Sequence, residues 1–154
     1  MVFAPAWPPP AAARFWRAAG LMAEKSFRLK PLALTPIKTR ADFLAAARDI
    51  RKVAGAITLE LTATPQARRR EGEARIGITA SRKVGNAVAR NRAKRRLRAA
   101  SRQTLPLSGR AGHDYVLVAR GGILTRDYQA LLGDIMAAMA AAHAKLDAKS
   151  GGKE

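Results

Sequence analysis

The residues of this chain best suited to chemistry are cations, and they are concentrated in one stretch. Between Ala74 and His113 there are eleven Lys or Arg residues and no Asp or Glu. Such a stretch cannot neutralise its own charge within the fold, so an anionic partner must lie against it. Nucleic acid is the strongest polyanion in a cell. The type and density of these residues therefore indicate phosphate binding.

The centre of this stretch has the periodicity of a helix, predicted over 87–103 after a turn at Gly85-Asn86. At about 100° per residue, a narrow apolar stripe is formed by Ala89, Ala93, Leu97 and Ala100. Lys94, Arg95, Arg98 and Arg102 lie opposite this stripe, and Arg90, Arg92 and Arg96 flank it. With no acid in the helix, like charges four residues apart repel each other by a few tenths of a kcal/mol per pair. A face that binds an anion is therefore favoured over a solvated charged face.

The composition agrees with a nucleic-acid-binding domain and argues against several kinds of catalytic site. The chain has 154 residues, a net charge of +18 and a pI near 11.7, well above the value of about 9 that is typical of nucleic-acid binders. Cysteine is absent, which excludes disulfides, thiolate zinc sites and cysteine nucleophiles. His113 and His143 lie on different predicted elements, and no carboxylate pair in the basic stretch suggests a two-metal nuclease. No window of 18 apolar residues predicts a transmembrane helix.

The elements that must position the basic helix follow from hydrophobic periodicity. They are a helix over 39–55 with Thr39 as its cap and Asp42 in its first turn, strands over 57–63 and 75–81, the basic helix, an interior strand over 115–119, and a last helix capped by Thr125 or Asp127. The simplest pairing of the first two strands is a β-hairpin. The order α-β-β-α-β-α predicts an α/β (α+β) two-layer sandwich, with a small mixed sheet and three main helices.

The two ends of the chain have a different composition from the centre. Residues 1–21 are rich in proline and alanine and are predicted to be a disordered extension rather than a signal peptide. Met22 is a plausible alternative start. Residues 22–38 are predicted to form a basic, extended arm, residues 39–146 the folded nucleic-acid-binding domain, and residues 147–154 a flexible tail.

The segment 75–98 contains three consecutive motifs: Ser81-Arg82-Lys83 at a strand end, Gly85-Asn86-Ala87-Val88 in the following turn, and Arg90-Asn91-Arg92 in the helix. In these motifs it closely resembles the protein subunit of bacterial ribonuclease P. The resemblance continues without a gap over two dozen residues, and a weaker resemblance extends from about Phe27 to Ala142.

The resemblance implies a partner, a reaction and a detail of the fold. In that family the protein joins a catalytic RNA subunit, and the cytoplasmic holoenzyme removes the 5′ leader of precursor tRNA. Mg²⁺, bound mainly by the RNA subunit and the substrate, takes part in the chemistry, so no residue of the protein is expected to be catalytic or to ligate a metal. No membrane and no obligate protein partner is implied. The family also has a left-handed βαβ crossover around the basic helix, where a right-handed one is the general rule.

The site residues are carried over position by position. The resemblance assigns RNA binding to Arg82, Lys83, Asn86, Arg90, Asn91, Arg92, Lys94, Arg95, Arg98 and Arg102. Phe43 matches an aromatic residue of a cleft that receives the single-stranded leader. Helical periodicity alone favours Phe43 as a core residue, and Asn91 as an ordinary polar residue, so both interpretations stay open.

This chain departs from the family pattern at three places. Ala47 stands where relatives often carry a second aromatic residue, and Leu59-Glu60-Leu61 where a cleft tyrosine is often found. The loop Arg68-Arg69-Arg70 lies at the position of a metal-associated loop, but arginines cannot ligate a cation. We therefore expect weaker stacking on the leader and a larger contribution from basic residues.

Two other functions fit the composition. A structural RNA binder, such as a ribosomal protein, would have the same charge, and an autonomous nuclease would also bind RNA. The purified chain distinguishes them. A ribonuclease P subunit should not cleave RNA alone but should stimulate processing once the cognate RNA subunit and Mg²⁺ are added.

Overall fold

A computed structural model describes residues 32–152 of the chain, which form three helices around one five-stranded sheet. In chain order the elements are β1 (Ala33–Pro36), α1 (Arg40–Arg48), β2 (Ile50–Ala54), β3 (Ile57–Ala63), β4 (Glu73–Ala80), α2 (Ala87–Ser108), β5 (His113–Ala119) and α3 (Tyr128–Gly151). Short 3-10 turns at Gln66–Arg68 and Arg82–Val84 follow β3 and β4. The predicted α+β class with three main helices and a mixed sheet is confirmed.

The strands are arranged in the order β1-β4-β5-β3-β2. β4 is parallel to both β1 and β5, whereas β3 is antiparallel to β5 and β2. The apolar run of β5 therefore lies in the middle of the sheet, as its composition predicts. Together β4, α2 and β5 form the crossover for which the family resemblance implies a left hand.

The main core lies between the sheet and the pair α2 and α3. Alternate residues of the two central strands point into it, including Leu59 and Leu61 of β3 and Tyr115 and Leu117 of β5, and all four are buried. Residues at helical spacing from α2 and α3 complete this core, among them Ala93, Leu97, Leu131, Ile135 and Met139. The central strands, α2 and α3 therefore bury the faces that their hydrophobic periods predict.

The helix α1 covers part of the opposite face of the sheet. A second, smaller cluster forms there from Ile37, Ala46 and Val116, with Phe43 and Val118 packed against it. Residues of β3, β4 and β5 that do not face the main core point to this side. The sheet thus has one face largely covered by α2 and α3 and one face that α1 covers only in part.

The prediction of a single helix over 39–55 is wrong beyond Arg48. The chain leaves the helix at Asp49 and forms β2, whose residues pair with β3 from Ile50↔Leu61 to Ala54↔Ile57. Gly55 does not end a helix but lies in the tight turn of this hairpin, with a positive φ of 52° that glycine adopts without strain. Ile50 and Val53 satisfy a helical spacing, but their β-branched side chains suit a strand equally well.

The predicted hairpin between strands 57–63 and 75–81 is also wrong. Both strands exist, at Ile57–Ala63 and Glu73–Ala80, but β5 lies between them in the sheet. β3 pairs instead with its close neighbour β2, through a two-residue turn. A tight connection is easier to close than the nine-residue loop 64–72.

Three predicted boundaries differ from the structure. The strand β1 is part of the segment 22–38, for which only an extended arm is predicted. The helix α2 continues through Pro106 to Ser108, because a proline in the last turn removes few backbone hydrogen bonds and Leu105 beside it is buried. The helix α3 extends to Gly151, into the segment predicted as a tail, where Lys149 donates to Asp49 over 2.6 Å.

The predictions for the extension 1–21 and for most of the arm concern residues outside the described part of the chain. Within the described part, none of the three helices combines the length and the apolar character that a membrane span requires.

Candidate nucleic-acid interface

The helix α2 places most of the basic residues, and its start is fixed by Asn86. The side-chain oxygen of Asn86 accepts a hydrogen bond from the backbone N–H of Ala89 over 2.9 Å, which is N-capping geometry. From there the helix runs for 22 residues, a length of about 33 Å. Asn86, which the resemblance assigns to RNA binding, therefore also has a structural role at the end of this surface.

The apolar stripe of α2 sets how closely the helix approaches the sheet. Ala93, Leu97 and Ala100 have no exposed surface, and Ala89 is half-buried at the start of the stripe. Because three of these four side chains are methyl groups, the helix axis lies near the strands. The opposite side of the helix is left free for a partner.

The residues assigned to RNA binding form one largely exposed surface. Arg90 and Lys94 are half-buried, and the other eight are exposed, namely Arg82, Lys83, Asn86, Asn91, Arg92, Arg95, Arg98 and Arg102. None of the eight cations in this set makes a salt bridge within residues 32–152. The Nε atom of Arg90 is buried and has no hydrogen-bond partner in that part of the chain. We call this set the α2 surface.

Arg96 lies in the same run of cations but has another role. Its guanidinium donates to the carbonyl oxygens of Ile123 over 2.7 Å, Leu124 over 3.0 Å and Arg126. It therefore fixes the loop between β5 and α3 against α2. The sequence run places Arg96 beside the stripe but gives no sign of these three acceptors, which are about thirty residues away.

Phe43 lies on the other side of the sheet, above Gly77. A Cβ atom at residue 77 would lie 2.8 Å from Cζ of Phe43 and closer still to Cε1, so only glycine lets the ring approach the strand. The ring is half-buried and packs against the small cluster that contains Ala46 and Val116. The half-buried ring of Phe43 fits both interpretations in part. One portion of it packs against the small cluster, as a core residue would, and the rest is accessible, as a cleft residue would be.

A buried ionic network holds α1 on the sheet next to Phe43. The guanidinium of Arg75 donates to Asp42 of α1 over 3.0 Å and, through Nε, to Asp114 of β5 over 2.8 Å. Asp42 and Asp114 are 6% and 0% exposed, and Thr64 also donates to Asp114 over 2.8 Å. Each carboxylate is therefore paired and hydrogen-bonded, which a buried charge requires.

The ionisation of the network follows from these contacts. Burial by itself would raise the pKa of Asp42, but hydrogen bonds from Thr39 and Arg75 and the charges of Arg75 and Arg68 outweigh it, so the pKa is lowered. Thr39 is the N-cap residue of α1, yet its hydroxyl donates to Asp42 over 2.6 Å instead of capping a backbone N–H. Sequence analysis finds Thr39 and Asp42 as helix-start residues but not their link to Arg75.

The arginine-rich loop between β3 and β4 is only partly free. Arg68 donates to Thr39 over 2.8 Å and is paired with Asp42, and Arg69 donates to the carbonyl oxygen of Thr64 over 3.1 Å. Arg70 is exposed. These arginines line a pocket of about 460 Å³ together with Lys38 and Arg75. The loop thus fastens α1 and presents at least one accessible cation.

Glu60 lies on the α1 side of the sheet, in one row with Gly77 and Val116 through the strand register. It is 6% exposed, and the nearest cation is Arg51, with 3.9 Å between Nε of the arginine and Oε1 of the glutamate. Burial raises its pKa, and the charge of Arg51 only partly opposes this. A carboxyl group thus occupies the region where the family resemblance leads us to expect a tyrosine.

The two histidines have different hydrogen-bond partners. His113 contacts the carbonyl oxygen of Ala111 over 3.0 Å, whereas Nε2 of buried His143 lies 2.8 Å from the hydroxyl of Tyr115. Within residues 32–152, no group of three or more His, Asp or Glu side chains is placed to hold a metal ion.

The fold and this surface define an α+β protein with an exposed basic crossover helix on one side of the sheet and a half-buried phenylalanine on the other. Comparison with known proteins identifies the family. The family model "Ribonuclease P" matches residues 34–143. The ribonuclease P protein component of Caulobacter vibrioides is 43% identical over 126 residues, which cover 82% of this chain and 80% of the relative. That of Ruegeria pomeroyi is 48% identical over 116 residues, covering 72% and 88%.

Solved structures agree on the fold. The ribonuclease P protein of Staphylococcus aureus superposes with a TM-score of 0.56 at 22% identity, over 70% of this chain and 94% of that one. The protein from Thermotoga maritima gives a TM-score of 0.56 at 20% identity, over 68% and 94%. The chain belongs to the ribonuclease P protein family. It is accordingly a component of an endoribonuclease that processes tRNA, works as a ribonucleoprotein and generally uses metal ions.

Proposed function

We propose that this chain binds the catalytic RNA subunit of ribonuclease P through the α2 surface and receives the 5′ leader of precursor tRNA beside Phe43. The observation that carries the proposal is the α2 surface itself, with eight exposed or half-buried cations and no acid partner in the described part of the chain. Guanidinium groups bind phosphate oxygens in pairs and also stack on bases, which a lysine does less well.

The contribution of the protein to the reaction is electrostatic and positional. The α2 surface offsets the repulsion between the phosphates of RNA subunit and substrate, and Asn91 offers an amide to a ribose or base edge. Mg²⁺, which the resemblance places mainly on the RNA subunit and the substrate, would supply the activation of water and the stabilisation of the leaving oxygen. We place this reaction in the cytoplasm, where precursor tRNA is made.

On the other side of the sheet, the accessible part of Phe43 offers a surface on which one leader base stacks. The Arg75 network keeps this ring in place by holding the first turn of α1, since Asp42 immediately precedes Phe43. The buried Glu60 and the small Ala47 leave less aromatic surface than the family pattern implies. We therefore assign a larger share of leader affinity to cations than to stacking.

Reconstitution with the cognate RNA subunit tests the proposal. The chain alone should not cleave precursor tRNA, and adding it to the RNA subunit at low Mg²⁺ should accelerate release of the leader. Cleavage by the chain alone would indicate an autonomous nuclease. Failure to stimulate, with cosedimentation with ribosomes, would indicate a structural RNA binder.

Substitution of Phe43 tests the leader site. Phe43→Ala should weaken the binding of precursor tRNA by about 1–3 kcal/mol, the range for loss of one base–aromatic stack, and leave the binding of mature tRNA unchanged. Leu44→Ala is the matched control, because Leu44 is the next residue of α1 and is exposed. Equal losses for both substrates would show that Phe43 acts through folding and not through the leader.

A further inference from the structure

The strand β4 has an open edge next to Phe43. β1 ends at Pro36, which is opposite Ile76, and Ile37 makes the last bond across this pair, donating to the carbonyl oxygen of Ile76 over 2.9 Å. β4 continues to Ala80. Over these last residues β4 has a partner strand on the β5 side only, within the described part of the chain. Backbone N–H and C=O groups of an open strand edge are available to another molecule.

A groove of about 360 Å³ lies over this edge and joins the two sides of the sheet. Phe43 lies in its wall on the α1 side, β4 forms its floor together with Leu34, Pro36 and Ile37 at the end of β1, and α2 forms its wall on the other side. The residues contributed by β4 and α2 are Ile76, Gly77, Ile78, Arg98, Ser101 and Arg102. Grooves of this size hold small ligands of nucleotide dimensions.

Arg98 and Arg102 differ in position from the rest of the α2 surface. They lie four residues apart on one side of the helix, and between them Ser101 is 1% exposed, with its hydroxyl donating to the carbonyl oxygen of Arg98 over 2.9 Å. This side of α2 is therefore the one that meets the edge of β4. Arg95 is also exposed but does not line the groove.

The groove combines the three kinds of group that bind a single-stranded nucleic acid. An aromatic ring offers a stacking surface, open backbone groups pair with base edges, and two guanidinium groups bind phosphates. A duplex cannot use such a groove, because its bases are stacked and paired. The charge of the α2 wall selects an anionic chain over a neutral peptide.

We propose a refinement of the assignment above: within the α2 surface, Arg98 and Arg102 belong to the leader site, and the other residues face the RNA subunit. A leader base stacks on Phe43, the strand passes over the edge of β4 at Ile78, and its phosphates lie against Arg98 and Arg102. This assignment rests on the proposed function, since it presupposes that the leader binds beside Phe43. It gives the protein one continuous path for the leader, from α1 to the middle of α2.

The assignment is tested by two affinities measured on the same variants. Arg98→Ala and Arg102→Ala should each reduce the preference of the holoenzyme for precursor over mature tRNA by about tenfold, the effect of removing one charge-assisted hydrogen bond. Their affinity for the RNA subunit should stay within about twofold of the unsubstituted protein. Arg95→Ala, on the same helix and also exposed, should show the opposite pattern.

Two results would overturn the assignment. If Arg98→Ala and Arg102→Ala weaken RNA-subunit binding as much as Arg95→Ala and leave the leader preference unchanged, both arginines face the RNA subunit. If the unsubstituted holoenzyme shows no preference for a leader at all, the proposed function fails and the assignment fails with it. A normal preference in the unsubstituted holoenzyme separates the first case from the second.

Discussion

Arg95 and Arg96 are neighbours on α2 with opposite surroundings. Arg95 is exposed, whereas Arg96 donates to three carbonyl oxygens of the loop before α3. Successive side chains point about 100° apart around the helix axis. This rotation is enough to place Arg95 on the exposed face of α2 and Arg96 on the face that contacts the loop before α3. The charge of a residue in this run therefore does not by itself define its role.

The arginines of the Arg-Asn-Arg motif are predicted to contact phosphates. Replacing Arg90 and Arg92 together with Ala should weaken RNA-subunit binding and flatten its salt dependence, by about 0.7–0.9 in the log–log slope for each phosphate that is no longer neutralised. The measurement is a titration of the dissociation constant against salt concentration. Lys145→Ala, an exposed cation of α3 outside the α2 surface, is the control. An unchanged slope in the double variant would mean that neither side chain reaches a phosphate.

The close approach of Phe43 to β4 makes Gly77 sensitive to substitution. Gly77→Ala should lower the free energy of unfolding by about 1–3 kcal/mol, because the added methyl group overlaps the Phe43 ring. Chemical denaturation measures the loss. Combining it with Phe43→Leu should recover part of the stability, since the smaller side chain leaves room. If the double variant loses as much stability as Gly77→Ala and Phe43→Leu lose separately in sum, the two positions do not interact. The Phe43 ring then does not rest on Gly77.

At the scale of elements, the residues 50–53 show how a local pattern is decided by distant partners. Ile50 and Val53 continue the helical spacing of α1, and no breaking residue stands between them and Phe43. The segment forms a strand because β3, which is itself paired with β5, provides a partner for every residue from Ile50 (opposite Leu61) to Ala54 (opposite Ile57). A hydrophobic spacing that fits both periods cannot be assigned from the segment alone.

The attachment of α3 to β5 predicts a dependence of stability on pH. Burial lowers the pKa of His143, the charges of Arg110 and His113 lower it further, and Asp147 acts in the opposite direction. Nε2 of His143 lies 2.8 Å from the hydroxyl of Tyr115, whose oxygen also accepts the backbone N–H of Arg110 over 2.7 Å. A neutral ring can accept the hydroxyl proton at Nε2, and a protonated ring cannot.

The sign of the effect follows from proton binding. Below about pH 6.5 the unfolded chain protonates this histidine, whereas the folded chain does so only at lower pH. Stability should therefore fall as the pH falls from about 6.5 to the lowered pKa of His143, by at most about 1.4 kcal/mol per pH unit. Urea unfolding at several pH values measures it.

A non-titrating variant isolates this histidine from other groups. Glu60, whose pKa is raised by burial, changes stability in the opposite direction with pH. In His143→Gln, the glutamine side chain keeps an acceptor near Tyr115 but does not titrate. The free energy of unfolding of this variant should therefore depend less on pH, by the contribution of His143. An identical pH profile in this variant would contradict the prediction.

At the scale of the whole molecule, a net charge of +18 means that the free protein repels itself. On α2 alone, the series Arg90, Lys94, Arg98 and Arg102 places three like-charged pairs at four-residue spacing. Each pair lowers the stability of the helix by a few tenths of a kcal/mol. Without a bound polyanion, this repulsion opposes the stabilisation that burial of the apolar stripe provides.

Salt should therefore stabilise the free protein. Raising the salt from about 0.01 to 0.1 M shortens the screening length from about 30 to 10 Å and should raise Tm by a few degrees, which corresponds to about 1 kcal/mol. Lys94→Glu turns two repulsive pairs into attractive ones and should remove most of this gain. A Tm that falls with salt would mean that surface ion pairs such as Arg110–Asp147 dominate.

The sequence by itself determined the features that depend on neighbours along the chain. The start of α2 after Asn86, its buried stripe of Ala93, Leu97 and Ala100, and its acid-free charge all follow from residues within a few turns of one another. Only the tertiary structure decided that β1 and β2 exist as strands, that β5 separates β3 from β4, and that Arg75 and Arg96 serve the fold. The strand β2 pairs with the neighbouring β3, which is itself held by β5, and the other features depend on partners about thirty residues or more away. Such pairing is set by which strand ladder and which buried charge can be completed in space, and no local period records it.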